Sequence, residues 1–376
     1  MTVPQITALD TELRALCLGA RTAIDADARV ALVALASGGI DWPRLWSLGH
    51  RHEVIPLLAA SLPLIMGDAV PAAWLHEARR RSHVTLLANG RLVERLGAVL
   101  DGFDGAGIDA MPVKGLVLAD RLYGSLALRP AADIDVLVHP ANLPRARSVL
   151  REVGFRQREA PGFKALTHEF HDPAWGIGEG REHVRLELHW ALWAASDRRL
   201  GTEGLWERSV EATLLDRRVR TLAPEDTLLH LAIHRTRSAL RLRWLVDVAE
   251  LVRRDGERLD WSAYLARARA AGARTASWVV LALARDLLGA NPPERVMREL
   301  AVAQPKRALL ERTCGATAMF RYRPDEDLAQ QPHLTLRALE EDGLLRIANV
   351  LGGGLIRPTR ERLHNAGILR ARRTMA

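Results

Sequence analysis

Lysine is scarce in this chain. Lys114, Lys164 and Lys306 are three of 53 basic residues, and the rest are arginine. Against 45 acidic residues this leaves a formal net charge of +8, a surplus that ordinarily points to a polyanion partner. So lopsided an arginine usage, beside abundant alanine, reads instead as genome composition. Arg and Glu also interleave in stretches such as Arg91–Arg95 and Arg360–Arg362, the pattern of solvated helix faces. Cysteine is limited to Cys17 and Cys314, too few and too far apart for a disulfide framework or a metal-spaced cluster. Aromatic residues make up 5% of the chain, and no basic–aromatic stripe of the kind that binds single strands is evident. No apolar run approaches the ~18–20 residues of a membrane span. The first residues, MTVPQITALDTELRALCLGAR, carry acids and no basic segment of a secretory signal, so a cytoplasmic location is expected. No repeat of fixed period is present. The glycine-rich stretch 172–180 lacks the Gly-Lys-Ser/Thr of a phosphate-binding Walker loop.

What is present is an ordinary globular composition, 48% hydrophobic and 26% charged over 376 residues, long enough for two or three modest cores. Residues 1 to about 100 read as amphipathic helices over Ile6–Gly19, Ala23–Ala36, Val54–Leu62 and His76–Leu100. Asp41-Trp42-Pro43 opens a further helix, with Asp as N-cap and Pro in the first turn. Gly102 to Asp109 ends the helical part, and Ala110–Val113 follows as a short strand. From Leu205 the chain reads as helical again, with helices over Thr227–Arg237 and Leu240–Arg253 and breaks at Asn291-Pro292-Pro293 and Gln330-Gln331-Pro332. The glycines at 352–354 and the arginine-dense end from Ile356 read as a frayed, solvated terminus in preference to a segment that touches a membrane surface or a polyanion.

The stretch KGLVLADRLYGSLALRPAADIDVLVH, from Lys114 to His139, concentrates the chemistry. It predicts a turn at Lys114-Gly115, a helix over Leu116–Tyr123, a loop and a strand ending in DIDVLV. Period two sends Ile134, Val136 and Val138 to one face, and Asp133 and Asp135 to the other, about 7 Å apart at two strand rises. Two carboxylates side by side on an apolar strand call for a cation between them, and a divalent ion with oxygen ligands such as Mg2+ is the natural one. The alternative is a solvated polar face with no function. After Asp133–Val138, Pro140–Pro144 opens a helix to about Val153 that Gly154 closes. Strand character returns over Phe163–Phe170 and Val184–Trp190. In Val184–Trp190 period two puts Arg185, Glu187 and His189 on one face and Val184, Leu186, Leu188 and Trp190 on the other.

The segment resembles the polymerase-beta-like nucleotidyltransferase superfamily, and most closely a bacterial branch described as uncharacterised nucleotidyltransferases. The residues that carry the resemblance are Lys114, Gly115, Leu118, Ala119, Tyr123, Arg129, Asp133, Ile134 and Asp135. Weaker echoes lie in Asp41–Leu62, in Glu187-Leu188-His189-Trp190, and in the helices through Pro224–Asp226 and Trp244–Asp247. The chain departs from the superfamily in its Gly-Ser pair, since Lys114-Gly115 lies further back from the aspartates and Gly124-Ser125 nearer.

The resemblance implies an α+β fold: a small mixed sheet as nucleotidyltransferase core (101–220) between N-terminal (1–100) and C-terminal (221–376) helical domains. It implies a metal-dependent enzyme that transfers NMP from an NTP to an acceptor. Asp133, Asp135 and Glu187 are the expected catalytic carboxylates and ligands of Mg2+ or Mn2+. Lys114, Gly115 and Arg129, and more weakly Ser125, are the expected nucleotide contacts, with His189 and Arg185 beside them. The acceptor class stays open among a small molecule, a peptide or protein and an RNA end, the first two being favoured over long nucleic acid. A degenerate nucleotide- or partner-binding protein is the alternative, and a basic helical nucleic-acid binder a third reading. The histidine pairs His50/His52 and His230/His234 read as packing or substrate-facing groups rather than zinc sites, and Asp247 reads as the partner of an arginine.

Overall fold

In a computed structural model the described residues are 5–157, 174–192, 202–235, 241–321 and 342. The expected strand at Phe163–Phe170, the break at Gln330–Pro332 and the arginine-rich end lie outside them. Helices α1 (Thr11–Gly19), α2 (Ala26–Ser37), α3 (Trp42–Arg51), α4 (Ile55–Met66) and α5 (Ala72–Gly105) precede the first strand. Asp41 caps α3 as its sequence predicts, its carboxylate accepting the Arg44 N–H at 2.9 Å. The last of these helices runs through Gly102 to Gly105, further than its glycines suggested, and Gly107 with φ +63° makes the turn. Among the described residues no helix is long and apolar enough to cross a membrane.

The strands and helices that follow are β1 (Ala110–Val113), α6 (Gly115–Tyr123), β2 (Ile134–Val138), α7 (Leu143–Glu152), β3 (Arg156–Gln157), β4 (Trp175–Ile177) and β5 (Val184–His189). The five strands form one mixed sheet in the order β1-β2-β5-β4-β3, in which only β2 and β5 run parallel. The β4 strand falls inside the stretch read as a glycine-rich turn: Trp175 is buried against β5, and Gly178 at φ +75° makes the turn after it.

Beyond the sheet come α8 (Thr202–Arg208), β6 (Val210–Leu214), β7 (Arg217–Thr221), α9 (Pro224–Arg235), α10 (Leu242–Asp255), α11 (Trp261–Ala270), α12 (Arg274–Leu288), α13 (Glu294–Leu300), α14 (Gln304–Cys314) and α15 (Ala316–Arg321). The β6–β7 hairpin corrects the expectation of continuous helix from Leu205. Its Leu214 and Val219 are buried with the sheet, and Thr221 Oγ1 donates to the Pro112 carbonyl on β1 at 3.0 Å. The turn puts Leu215 at φ +54° without a glycine, so the usual hairpin signal was missing. The Asp120 carboxylate accepts the Leu215 N–H and ties this turn to α6.

The sheet has helices on both faces, and its alternating residues divide between two cores. Ile134, Val136, Val138, Leu186 and Leu188 pack with Leu96, Phe103, Val149 and Leu150 of α5 and α7. Met111, Val113 and Leu137 face the other way, into a larger core that joins α1–α4 to α9–α13 through Leu16, Leu58, Leu245, Tyr264 and Leu281. The α+β architecture expected from the sequence is therefore the one observed, with the N- and C-terminal helices sharing one core. Asp135 and the β5 acid project from the face turned toward that core.

Candidate active site

Parallel pairing sets Asp135 directly against Glu187, and Leu137 against His189. Register alone thus brings the second aspartate of the DID run beside the acid of β5, on adjacent strands about 4.8 Å apart. His189, two residues beyond Glu187, points to the same side. Its Nε2 lies 2.8 Å from Asp135 Oδ1 and 3.5 Å from Glu187 Oε2. A carboxylate can only accept, so Nε2 carries the proton and donates to Asp135. One ligand atom each from Asp135, Glu187 and His189 lies within 4.8 Å of the others. Two carboxylates and an imidazole, whose Nε2 becomes a ligand when the ring proton sits on Nδ1, form a donor set that fits a divalent ion.

Asp133 precedes β2, half-buried at its edge. Burial, and after it the charges on Asp135 and Glu187, push its carboxyl above the usual range, as expected where like charges converge. Asp135 goes the other way: although burial opposes its charge, Lys114 and His189 hold it well below the usual range. Glu187 is held down to about 2, where burial is outweighed chiefly by the hydrogen bond from His189.

Lys114 supplies the cation. It sits between β1 and α6 with φ +57° and ψ −129°, a conformation that costs a non-glycine residue about 1–3 kcal/mol. Its Nζ donates to Asp135 Oδ1 at 2.8 Å and lies 3.4 Å from His189 Nε2. Burial works against the ammonium, yet Asp135 outweighs it and the pKa lies above the ordinary lysine value. On the outer side Arg185, half exposed, pairs with Glu187. His230 of α9 lines a small cavity with Lys114. Burial first, and then Lys114, holds its imidazole neutral.

Arg129 is placed differently from the expectation of a phosphate contact. Its side chain is fully buried, with Nε and Nη2 donating to Asp247 at 2.7 and 2.8 Å and Nη1 donating to the Gly115 carbonyl at 3.0 Å. All three nitrogens are committed to the protein, so it braces the Lys114-Gly115 turn from behind. Asp247 is thus paired with an arginine as its sequence context indicated, and Tyr123 Oη adds a 2.6 Å hydrogen bond to it. Gly115 packs closely: a Cβ there would lie 3.2 Å from Ala131 Cβ, so the loop that leads to Asp133 would have to give by a few tenths of an ångström. Ser125 is not brought to the carboxylates. It follows Gly124, the left-handed C-cap of α6, at the opposite end of that helix from Lys114, and its Oγ accepts the Ala127 N–H.

One residue that organises the site escaped the sequence reading. Asn89 on α5, fully buried, donates to the carbonyls of Leu126 and Arg129 and accepts the Ala131 N–H, clamping the loop before Asp133. An asparagine on a helix face turned to the core was its only signal. The histidine pairs divide. His52 is buried, its Nδ1 accepting the Leu242 N–H at the start of α10, while His50 is exposed. His230 and His234 stack at 5.4 Å.

A family model described as an uncharacterised nucleotidyltransferase matches residues 38–289. The match spans every residue of this site and Asp247 as well. No curated protein sequence matches the chain.

Proposed function

Because the chain belongs to this uncharacterised nucleotidyltransferase family, we propose that it is a metal-dependent enzyme that transfers NMP from an NTP to an acceptor and releases pyrophosphate. The observation that carries the reading is the pairing of Asp135 with Glu187 across parallel strands, with His189 on the same face. Asp135 and Glu187 hold the metal, with Asp133 completing the acidic set at the strand's edge. Bound there, Mg2+ or Mn2+ would acidify the acceptor hydroxyl and stabilise charge on the leaving pyrophosphate.

The protein's own groups do the rest. Lys114, at the N-terminus of α6, contacts the triphosphate, and the free N–H groups of that helix's first turn beside Gly115 offer further donors to phosphate oxygens. Arg185, at the exposed rim of the acids, is the second cation within reach. Arg129 acts by holding the Gly115 carbonyl, a positioning role in place of a phosphate contact. His189 orients Asp135. A small molecule or a protein side chain is the favoured acceptor, since the chain carries few aromatic stacking residues.

The test is incubation of the protein with each α-labelled NTP, Mg2+ or Mn2+ and cell extract, beside an Asp133→Ala/Asp135→Ala control. A labelled product that disappears in the control supports the reading and identifies the nucleotide, and the labelled species identifies the acceptor. Absence of both product and metal-dependent NTP binding would overturn it.

A further inference from the structure

Two acids of this site, Asp135 and Glu187, carry a cation already. Arg185 pairs with Glu187 and Lys114 with Asp135, but the two pairs differ in burial. The Arg185 side chain is 51% exposed, whereas Lys114 and Asp135 are 14% and 4% exposed. A solvated pair yields to a competitor at little cost, and a buried one does not. The Lys114–Asp135 pair therefore sets the terms on which another cation enters.

At Asp135 Oδ1 the competition is direct. That oxygen accepts from Lys114 Nζ and from His189 Nε2, each at 2.8 Å, which occupies both of its lone pairs. A divalent ion that takes this oxygen must displace one donor. His189 can stay, since a neutral imidazole with its proton on Nδ1 offers Nε2 as a ligand. An ammonium has no lone pair to offer and repels the incoming charge. Lys114 is the group that must leave. Its backbone does not have to move: the Gly115 carbonyl is held by Arg129, while the four-carbon side chain can swing from Asp135 to a phosphate at the N-terminus of its own helix.

Resting on the nucleotidyltransferase reading, we propose that Lys114 is a built-in countercation of the metal site. It competes with the divalent ion for Asp135 and is drawn away by the nucleotide's phosphates, so that metal and nucleotide each strengthen the other's binding. Linkage makes the effect reciprocal: whatever factor the nucleotide adds to metal affinity, the metal adds to nucleotide affinity.

The experiment titrates the full chain with Mn2+ alone, followed by electron paramagnetic resonance, for wild type, Lys114→Gln and Lys114→Arg. The glutamine variant, which keeps a donor and loses the charge, should bind Mn2+ about tenfold tighter than wild type, within the usual range of coupling between sites. The arginine variant should stay near wild type. Equal or weaker binding by Lys114→Gln overturns the proposal, as does tightening on His189→Gln in its place. A second readout needs no variant. With three lysines in the chain, selective lysine labelling makes the Lys114 ammonium observable by NMR. Saturating Mg2+ should shift its signal, and a signal unmoved by bound Mg2+ overturns the proposal. Both readouts use metal without nucleotide, so a chain that transfers no NMP would defeat the reading of function and still leave the competition at Asp135 measurable.

Discussion

Arg129 and Asp247 stand 118 positions apart and meet through Nε and Nη2 of one guanidinium, at 2.7 and 2.8 Å, with 1% and 0% of their side chains exposed. The pair joins the loop before β2 to helix α10. Through the 3.0 Å hydrogen bond from Arg129 to the Gly115 carbonyl, it also supports the turn that carries Lys114. Asp247→Ala leaves the guanidinium buried without its counterion, which should cost about 3–5 kcal/mol. Tyr123→Phe, which removes one of three hydrogen bonds to the same carboxylate, should cost about 1 kcal/mol. Urea unfolding with an unchanged m-value measures both. A small loss in Asp247→Ala would mean that water reaches the arginine.

Asn89 predicts a local effect. Asn89→Ala strands the Leu126 and Arg129 carbonyls and the Ala131 N–H that it now satisfies, a loss of about 3 kcal/mol or more at about 1–3 kcal/mol for each of these groups left without a partner. Hydrogen exchange at Ala131 should quicken more than exchange in α7, which shares none of these bonds. Uniform quickening would show a global loss in place of a loosened loop.

Glu187 separates reach from charge. Glu187→Gln keeps the shape and removes the anion, and should lower kcat by about 100- to 1,000-fold, the scale of one lost electrostatic stabiliser. Glu187→Asp keeps the charge on a shorter arm and should retain more activity than the glutamine variant. Single-turnover transfer with the nucleotide identified by the labelling experiment decides the order, and the reverse order would remove Glu187 from the metal.

His52 gives the fold an acid-sensitive joint. Burial, aided by Arg51 and Arg241, lowers its pKa from 6.5 to about 4. The folded state therefore holds the neutral ring, whose Nδ1 accepts the Leu242 N–H. A lowered pKa means that the unfolded chain binds the proton more readily. Stability is full above about pH 6.5 and declines as pH falls toward about 4, by about 3 kcal/mol in all. His52→Asn, whose oxygen can replace Nδ1 as acceptor, should flatten the dependence of the urea midpoint on pH across that window. An unchanged slope would assign the dependence to other groups.

Much of the site was legible in the residues themselves because strands and short turns obey local rules. Period two on Ile134–Val138 and Val184–His189 placed the acids on one side and most of the aliphatic residues on the other, and strands set between helical stretches agreed with the α+β class that the family resemblance implied. The β6–β7 hairpin was missed because its turn uses Leu215 where a glycine or asparagine usually signals one, and β4 because a three-residue strand has no periodicity to read.

The sequence by itself determined which residues can carry charge and chemistry, where the strands that bear the acids run and which way their side chains alternate, since each depends on neighbours a few positions apart. Only the tertiary structure decided which of them meet. Parallel register set Asp135 against Glu187, the buried Asp247 carboxylate drew the Arg129 guanidinium to it and behind the Gly115 carbonyl, and the length of α6 carried Ser125 away from the turn that holds Lys114. Strand order and the pairing of distant charges follow from how helices from both ends of the chain close over one core, and no local pattern encodes that closure.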